Sequence, residues 1–388
     1  MKLMTVYAIN NSLKFSLFDM NDESILSRGI FERVGMENSR FIIQFNQEQI
    51  VEELEINNFL EAVHILLDKM VALNIIRSFE DIDAIGHKIL FGGEAFPESV
   101  FISNDVITQL EEYASICPMK SSVEVISAFS SVFPNVDMIA IFDTSFYHSL
   151  PEESYLYGVP YSWYHDYGVR KYGFQGIHHQ FITNEVHSLL GRDNLKIISC
   201  YLDSESSVSA ILNDKCIDTS MGFSTFSGLL MGTKSGDIDP SIIPYVMEKE
   251  GKNVGEVLEV LKHFSGLLGL SECSGDMRDI MALCDEEHPK VVIAKNKYVR
   301  KIVDYISQYY VLLDGCDVLV FSGSIGENNG EIRKEICERL KCLGVRIDSN
   351  QNLSNPIISS NDSPIVVCVI PDNEELMMVR EIMKLMNR

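Results

Sequence analysis

The chain has 388 residues, of which 56 are acidic and 32 are basic, and its formal net charge is -24 at pH 7. An acidic surplus of this size argues against nucleic acid or an anionic membrane as a bulk partner. The length exceeds one ordinary core, and a 46% share of hydrophobic residues indicates a globular chain, so we expect two domains.

The first elements in the chain are two strand-like runs, residues 5–9 and 14–19, which flank a short Asn10-Asn11-Ser12 turn. Residues 47–70 carry apolar side chains at helical spacing and predict a helix. Residues 83–90 predict a strand that ends at Gly92 and Gly93. A continuous apolar run, 138–142, predicts a buried strand that leads into Asp143.

The stretch 195–240 predicts a hairpin followed by a glycine-rich loop. Two β-branched runs flank the polar tip Asp203-Ser204-Glu205, and alternating apolar residues beside a polar cluster are typical of a hairpin. A helix is expected just before it, from about His178. The strand, tip, strand pattern repeats that of the first turn about 190 residues later, which suggests two halves built on one plan.

The last third of the chain alternates helices and strands. Helices are predicted at 254–261 and 298–313, a polar loop at 271–279, and a buried strand at 318–321. That strand runs into a turn containing Gly323 and Gly326, a common but weak signal for a nucleotide site. A strand at 365–370 and a helix from about Asn373 follow. Such alternation throughout predicts α/β layering.

No apolar run approaches the roughly 18 residues of a membrane span, and Asn10, Asn11 and Lys14 interrupt the first apolar stretch too early for a signal peptide. The nine cysteines are scattered without a Cys-x-x-Cys pair, which favours reduced thiols over disulfides or a zinc site. We therefore expect a cytoplasmic protein without a membrane or nucleic-acid partner.

Several strings resemble the acetate kinase family, which includes acetate and propionate kinases. The most specific is Met-Gly-Thr-Lys-Ser-Gly-Asp-Ile-Asp-Pro at 231–240. Others lie along nearly the whole chain: Ile85-Gly86-His87 with Gly92-Gly93-Glu94, Phe142-Asp143-Thr144, Tyr172-Gly173-Phe174 with Gly176, residues 218–223, residues 324–328, and Ile370-Pro371 with Glu374-Glu375.

The resemblance implies an α/β protein with the duplicated ribonuclease H-like fold of actin, sugar kinases and Hsp70, with a cleft between two domains. The implied division is an acceptor-side domain, 1–148 plus 376–388, and a nucleotide-binding domain, 149–375. The implied reaction converts ATP and acetate into ADP and acetyl phosphate with Mg²⁺, in a homodimer. Such transfer depends on aligning the reactants and neutralising charge on the phosphoryl oxygens.

The resemblance also implies roles for individual residues. The catalytic candidates are Asp143, Lys88, Lys234, Gln175 and His179. The pocket for the acetate methyl group would be lined by Leu90, Met119, Phe174 and Thr225. The nucleotide and phosphate candidates are Asn10, Ser12, Lys14, Asp203, Ser204, Glu205, Asp276, Arg278, Gly323 and Gly326. The implied metal ligands are Asn10 and Glu374.

Four departures from the family pattern concern the phosphate groups. Lys88 and Lys234 replace arginines and lose the planar bidentate grip on oxygen pairs. Gln175 replaces a histidine and cannot become a cation. The first turn is shortened by three residues. At the hairpin tip, 203–205, two carboxylates replace a Gly-Asn-Gly turn; a carboxylate about 4 Å from a phosphate oxygen costs about 4 kcal/mol at an effective dielectric near 20.

Simpler interpretations remain open for most candidates. Asp143 could be a strand-end turn residue, and Asp276 with Arg278 a surface ion pair. Gly323 and Gly326 could form a tight turn, and Leu90, Met119 and Phe174 could be core residues. Asp372 and Glu375 have the spacing of a helix capping box. Asp203 and Glu205 could form a solvated turn.

Three functions are compatible with these residues. The first is an acetate kinase homologue with weak or lost turnover. The second is a catalytically inactive regulator or scaffold that binds a nucleotide or a protein. The third is a metal-assisted phosphate chemistry with Asp143, Asp203 and Glu205 as ligands. His165, His178 and His179 are not expected to form a metal site, since adjacent helical residues point apart.

Overall fold

A computed structural model describes residues 1–117, 119–285, 287–348, 350–353 and 356–387. The chain divides into two compact units. The first is Met1–Ser145 with Asn373–Arg388, and the second is Phe146–Asp372.

Eight strands among the described residues of the first unit form one mixed sheet. They are β1 (Lys2–Ile9), β2 (Ser12–Asp19), β3 (Ser24–Glu32), β4 (Ser39–Phe45), β5 (Glu48–Leu54), β6 (Ala84–Ile89), β7 (Val100–Phe101) and β8 (Asp137–Phe142). The sheet order is β5-β4-β3-β2-β1-β6-β8-β7. Strands β1, β6 and β8 are parallel, and the other neighbours are antiparallel.

Helices α1 (Phe59–Ala72), α2 (Asn104–Glu112) and α3 (Lys120–Val132) and the terminal helix Glu374–Met386 complete the first unit. Stacked rings of Phe31 and Phe41, 4.2 Å apart, lie in the core under α1 and α3. Gly86 allows the terminal helix to approach β6, because a Cβ there would lie 2.6 Å from the Ile382 side chain. The result places the start of the terminal helix and the end of β6 in one unit.

The second unit repeats the same plan. Its strands are β9 (Lys196–Tyr201), β10 (Ser207–Leu212), β11 (Lys215–Thr219), β12 (Val318–Ser322) and β13 (Val366–Val369). The order β11-β10-β9-β12-β13 matches β3-β2-β1-β6-β8 of the first unit, with an antiparallel meander followed by parallel strands. The predicted duplicated ribonuclease H-like α/β fold is therefore confirmed.

Helices precede and separate these strands in the sequence. They are α4 (Glu152–Tyr155), α5 (Tyr161–Tyr167), α6 (Gly176–Leu190), α7 (Ile242–Glu250), α8 (Val254–His263), α9 (Gly266–Ser271), α10 (Met277–Ala282), α11 (Pro289–Leu312), α12 (Gly323–Asn328) and α13 (Gly330–Arg339). Buried side chains of the long helix α11, including Tyr298 and Tyr309, pack into the core, where α11 contacts β9 and β10.

Three predicted elements differ in part from the structure. Residues 47–70 are not one helix, because β5 occupies the first part and α1 begins only at Phe59. The predicted polar loop at 271–279 contains the end of α9 and the start of α10. The helix predicted at 298–313 begins earlier, at Pro289. In the part of the chain that the structure describes, no helix has the length and apolar character needed to cross a membrane.

Candidate active site

The first group of candidate residues lies at the carboxyl ends of the parallel strands β6 and β8. Lys88 is the penultimate residue of β6, and Asp143 directly follows β8. Register pairs Ile89 with Phe142, so the two strands end side by side. Lys88 is 6% exposed and Asp143 is 1% exposed. The sheet therefore buries a cation and a carboxylate at the same edge of the first unit.

Lys88 forms a buried ion pair with Glu374, the first residue of the terminal helix. The Lys88 ammonium also lies 4.8 Å from the centre of the Tyr7 ring, a cation–π distance. Burial alone lowers the pKa of Lys88, but the attraction of Glu374, Asp143 and Tyr7 outweighs burial and raises that pKa above its usual value. Lys88 is thus held as a cation at neutral pH.

The start of the terminal helix differs from the predicted capping box. Asn373, not Asp372, is the cap residue, and its side-chain oxygen accepts a hydrogen bond from the backbone N–H of Leu376 at 3.1 Å. Burial first, then the nearby Glu374, raises the pKa of Glu375. The interpretation of Asp372 and Glu375 as a capping box is therefore wrong, and Glu374 is left to contact Lys88.

The shortened first turn is held by backbone contacts within the first unit. Asn10 has a positive φ of 50°, and its carbonyl accepts a hydrogen bond of 2.7 Å from the Ser121 hydroxyl. Ser12 is half-buried at the start of β2, and Lys14 is exposed two residues later. The turn thus presents one amide, one hydroxyl and one ammonium group at the end of the β1–β2 hairpin.

The four residues predicted to line a methyl pocket are divided between the two units. Leu90 is half-buried after β6, and Met119 is buried before α3. In the second unit Phe174 is buried, while Thr225 is half-buried and accepts a hydrogen bond from Lys234. Within each unit these positions supply one buried apolar side chain, so a pocket role for them stays a prediction.

Lys234 is the second candidate cation and is only 7% exposed. Its ammonium group donates to the carboxylate of Glu205 at 2.5 Å and to the hydroxyl of Thr225 at 2.9 Å. Glu205 belongs to the hairpin tip, 29 residues before Lys234 in sequence. Lys234 is therefore bound by an internal carboxylate where a phosphate-binding role requires an open cation.

The hairpin tip between β9 and β10 contacts the neighbouring loops. The Asp203 carboxylate accepts from the backbone N–H of Ser204 at 2.6 Å and from that of Ser324 at 3.1 Å. The Ser204 carbonyl accepts from the N–H of Gly232 in the glycine-rich loop at 3.0 Å. Asp203 and Ser204 thus contact neighbouring loops of the second unit, while the Glu205 side chain stays 47% exposed.

Gln175 and His179 lie in a buried hydrogen-bonded chain. Gln175 has a positive φ of 63° and precedes α6, and its side chain contacts Ser207 at 2.6 Å and the Glu205 carbonyl at 3.3 Å. His179 has no exposed surface, and its ring nitrogens contact Ser199 and Ser207, each at 2.8 Å. Burial first, then His178, lowers the pKa of His179 to about 3. This histidine is neutral at physiological pH.

Four of the predicted nucleotide-binding residues form a glycine turn and an exposed ion pair. Asp276 caps α10 and binds the backbone N–H and the guanidinium of Arg278. Hydrogen bonds from Arg278 lower the pKa of Asp276, and the Arg278 side chain is 90% exposed. Gly323 has a φ of 78°, and a Cβ there would lie 2.6 Å from the Leu202 carbonyl. At Gly326 the nearest atom is 3.4 Å away, so only Gly323 is required by its backbone.

Two different metal sites were predicted, and the structure does not support them equally. Within the described ranges no group of three or more His, Cys, Asp or Glu side chains could hold a metal ion. Glu205 already binds Lys234, so the ligand set Asp143, Asp203 and Glu205 is not supported. The amide of Asn10 and the carboxylate of Glu374 are the oxygen donors that Mg²⁺ prefers, although Glu374 would share its charge with Lys88.

The sequence does not predict several contacts in these groups. Among them are the Tyr7 ring beside Lys88 and the hydroxyls of Ser199 and Ser207 beside His179. A signal for the serines was present: Ser207 and Ser209 alternate with Val208, which places both on one face of β10. The sequence likewise does not predict the contact of the Asp372 carboxylate with His178, at 2.6 Å.

The chain resembles known proteins over nearly its whole length. The acetokinase family model matches residues 2–380. The acetate kinase of Geobacillus sp. (strain WCH70) is 42% identical over 393 residues, spanning 100% of this chain and 99% of that protein. The acetate kinase of Staphylococcus carnosus (strain TM300) is 39% identical over 390 residues, spanning 98% of both chains.

Solved structures agree with these sequence matches. A crystal structure of Porphyromonas gingivalis acetate kinase superposes with a TM-score of 0.95 at 31% identity and covers 99% of both chains. A crystal structure of a propionate kinase from Francisella tularensis subsp. tularensis SCHU S4 gives a TM-score of 0.93 at 31% identity and covers 98% of both chains.

Proposed function

The chain belongs to the acetokinase family, and from this premise we propose that it transfers the terminal phosphoryl group of ATP to acetate or another short carboxylate at a low rate. The carboxylate oxygen attacks the γ-phosphorus, the bond to the β-phosphate oxygen breaks, and ADP leaves. The products are ADP and the acyl phosphate. No proton has to move, because the attacking carboxylate is already ionised.

One observation carries this proposal: β6 and β8 bury a charged lysine and a carboxylate, Lys88 and Asp143, at the same sheet edge. Because this reaction needs no general base, the neutral His179 is no obstacle to it. What it needs is fixed positive charge facing the phosphoryl oxygens. Asp143 and Glu374 keep Lys88 ionised and restrict its side chain, which is the contribution expected of groups that position a cation.

The low rate follows from the partners of the two lysines. Lys88 binds Glu374 and Lys234 binds Glu205, so each cation gives up part of an existing interaction when a phosphoryl group arrives. Lysine also lacks the planar fork with which arginine binds two oxygens at once. These two costs support an enzyme of the acetate kinase type that works slowly.

We propose that the two substrates bind to different units. We assign the carboxylate to the unit Met1–Ser145 with Asn373–Arg388, and the nucleotide to the unit Phe146–Asp372. Asn10 and Glu374 would hold the Mg²⁺ that such a transfer uses, and the ion would supply positive charge to the phosphoryl group. A cytoplasmic homodimer completes the proposal, and light scattering of the purified protein tests the dimer.

Trapping of acetyl phosphate as a hydroxamate tests the reaction. Wild-type protein with millimolar acetate, ATP and Mg²⁺ is compared with Asp143→Ala, and propionate and butyrate replace acetate in parallel. We expect hydroxamate above the Asp143→Ala background. Equal signals from the two proteins would contradict the proposed reaction.

A second candidate function is nucleotide binding without catalysis, and one contact weighs against transfer. The Asp203 carboxylate accepts the backbone N–H of Ser324, so a phosphate group would have to compete for that donor. Should neither protein form acyl phosphate while ADP still raises the melting temperature of both, the chain is a nucleotide-binding regulator.

A further inference from the structure

A one-way chain of hydrogen bonds crosses the second unit from its core to the hairpin tip. It runs from Ser199 to His179, Ser207 and Gln175, and ends at the carbonyl of Glu205. The successive distances are 2.8, 2.8, 2.6 and 3.3 Å. Ser199, Ser207 and His179 are fully buried, so the chain has no competing water along most of its length.

The direction of every hydrogen bond in this chain is fixed by its last member. The Glu205 carbonyl can only accept, so the Gln175 amide nitrogen faces it and the Gln175 oxygen faces Ser207. Ser207 must therefore donate to Gln175, and its own oxygen accepts from the Nε2–H of His179. The Nδ1 of His179 then accepts from Ser199. One orientation of each group satisfies all four contacts.

The hydrogen-bond chain requires a neutral His179 and ends at the backbone of the hairpin tip. The neutral state of His179 is the one the chain needs, since a protonated ring would donate from both nitrogens and leave Ser199 without its acceptor. Gln175 is itself fixed by its position at the start of α6. The Gln175 amide therefore fixes the backbone carbonyl of Glu205, while the Glu205 side chain accepts from Lys234.

We propose that the Glu205 carboxylate is an internal competitor for the phosphate anion at Lys234, and that Ser207 and Gln175 are positioning residues that hold it there. The inference rests on the phosphoryl transfer proposed above and concerns the regulation of that site. Lys234 is 7% exposed and offers its ammonium to Glu205 and Thr225. A nucleotide phosphate that uses Lys234 must first displace the carboxylate, which weakens its apparent affinity.

The matched substitution Glu205→Gln keeps the size of the side chain and removes its charge. Breaking a partly exposed ion pair changes a binding equilibrium by about fivefold, so we expect ATP to bind about fivefold more tightly in calorimetry without acetate. Glu335→Gln is the control, because it removes a carboxylate from a lysine of similar burial, Lys295, elsewhere in the same unit. It should leave ATP affinity unchanged.

Ser207→Ala tests the positioning role separately. It removes the donor to Gln175 and should lower the melting temperature, yet it should tighten ATP binding, by less than Glu205→Gln does. The double variant Glu205→Gln/Ser207→Ala should bind ATP no more tightly than Glu205→Gln alone, because both changes act through one carboxylate. A merely structural Ser207 would lower stability without tightening ATP binding.

The outcomes separate this inference from the proposed reaction. If the wild-type protein forms no acetyl phosphate while Glu205→Gln still binds ATP more tightly than wild type, the proposed reaction is refuted. The role of Glu205 as a competitor is then supported. Equal or weaker ATP binding by Glu205→Gln overturns the competitor, as does the absence of ATP binding by both proteins. A Ser207→Ala protein that melts lower and binds ATP no more tightly overturns the positioning role.

Discussion

Replacing Glu374 by glutamine should destabilise the first unit, because it leaves the buried ammonium of Lys88 without its carboxylate. The exposed fractions of the two side chains are 6% for Lys88 and 22% for Glu374. Removing one partner of a buried ion pair costs about 3–5 kcal/mol. Glu374 is partly exposed, and Asp143 and the Tyr7 ring still attract Lys88, so we expect the low end, about 3 kcal/mol.

Urea unfolding followed by circular dichroism measures this loss. Tryptophan fluorescence would report on the other unit, because the single tryptophan, Trp163, lies in the second unit. Glu375→Gln is the matched control: it removes an acidic group from the same helix turn, an effect of about 0.5 kcal/mol. Lys88→Met together with Glu374→Gln should recover at least half of the loss, because no unpaired charge remains buried. A loss for Glu374→Gln no larger than that for Glu375→Gln would refute the reasoning.

Three further predictions concern pH, the glycine turn and the exposed arginine. Burial lowers the pKa of His87 to about 3 from 6.5, so the unfolded chain binds more protons below pH 6.5 and stability falls as pH falls. Urea titrations between pH 6 and 4.5 should show His87→Leu reducing that slope by about 1.4 kcal/mol per pH unit. Gly323→Ala should lower the unfolding free energy by at least about 1 kcal/mol, because its Cβ would meet the Leu202 carbonyl, whereas Gly326→Ala should be tolerated. Arg278→Ala should change stability by less than about 0.5 kcal/mol, since that side chain is 90% exposed, yet weaken ADP binding in calorimetry; unchanged ADP affinity would remove Arg278 from the site.

The fold was largely predictable where the local sequence pattern and the tertiary packing favour the same secondary structure. The β9–β10 hairpin and the buried strand β8 have apolar runs of strand length with polar ends, and both form as expected. The prediction of one helix over residues 47–70 was wrong in its first part. There β5 is an exposed edge strand, and its glutamates and spaced apolar residues also fit a helix. A better signal was Asn58 followed by Glu61: the Asn58 side chain accepts from the Glu61 N–H at 2.9 Å and starts α1.

The candidate site was predictable in its residue types but not in its pairings. The sequence indicates charge at Lys88, Lys234 and Glu205, and suggests that the last of these repels phosphate. Which cation meets which carboxylate depends on residues 29 and 286 positions apart in the chain. Such contacts follow from tertiary packing, and no local spacing rule anticipates them.

Single-turnover transfer of labelled phosphate tests the central claim most directly. Enzyme in excess is mixed with ATP labelled in the γ-phosphate, Mg²⁺ and saturating acetate, and label in acetyl phosphate is counted over time. We predict acetate-dependent transfer slower than about 1 per second, below the range of about 1–100 per second typical of kinases, and none with Asp143→Ala. No labelled acetyl phosphate from the wild-type protein would contradict the assigned reaction, and a rate inside that range would contradict the restraint ascribed to Glu205 and Glu374.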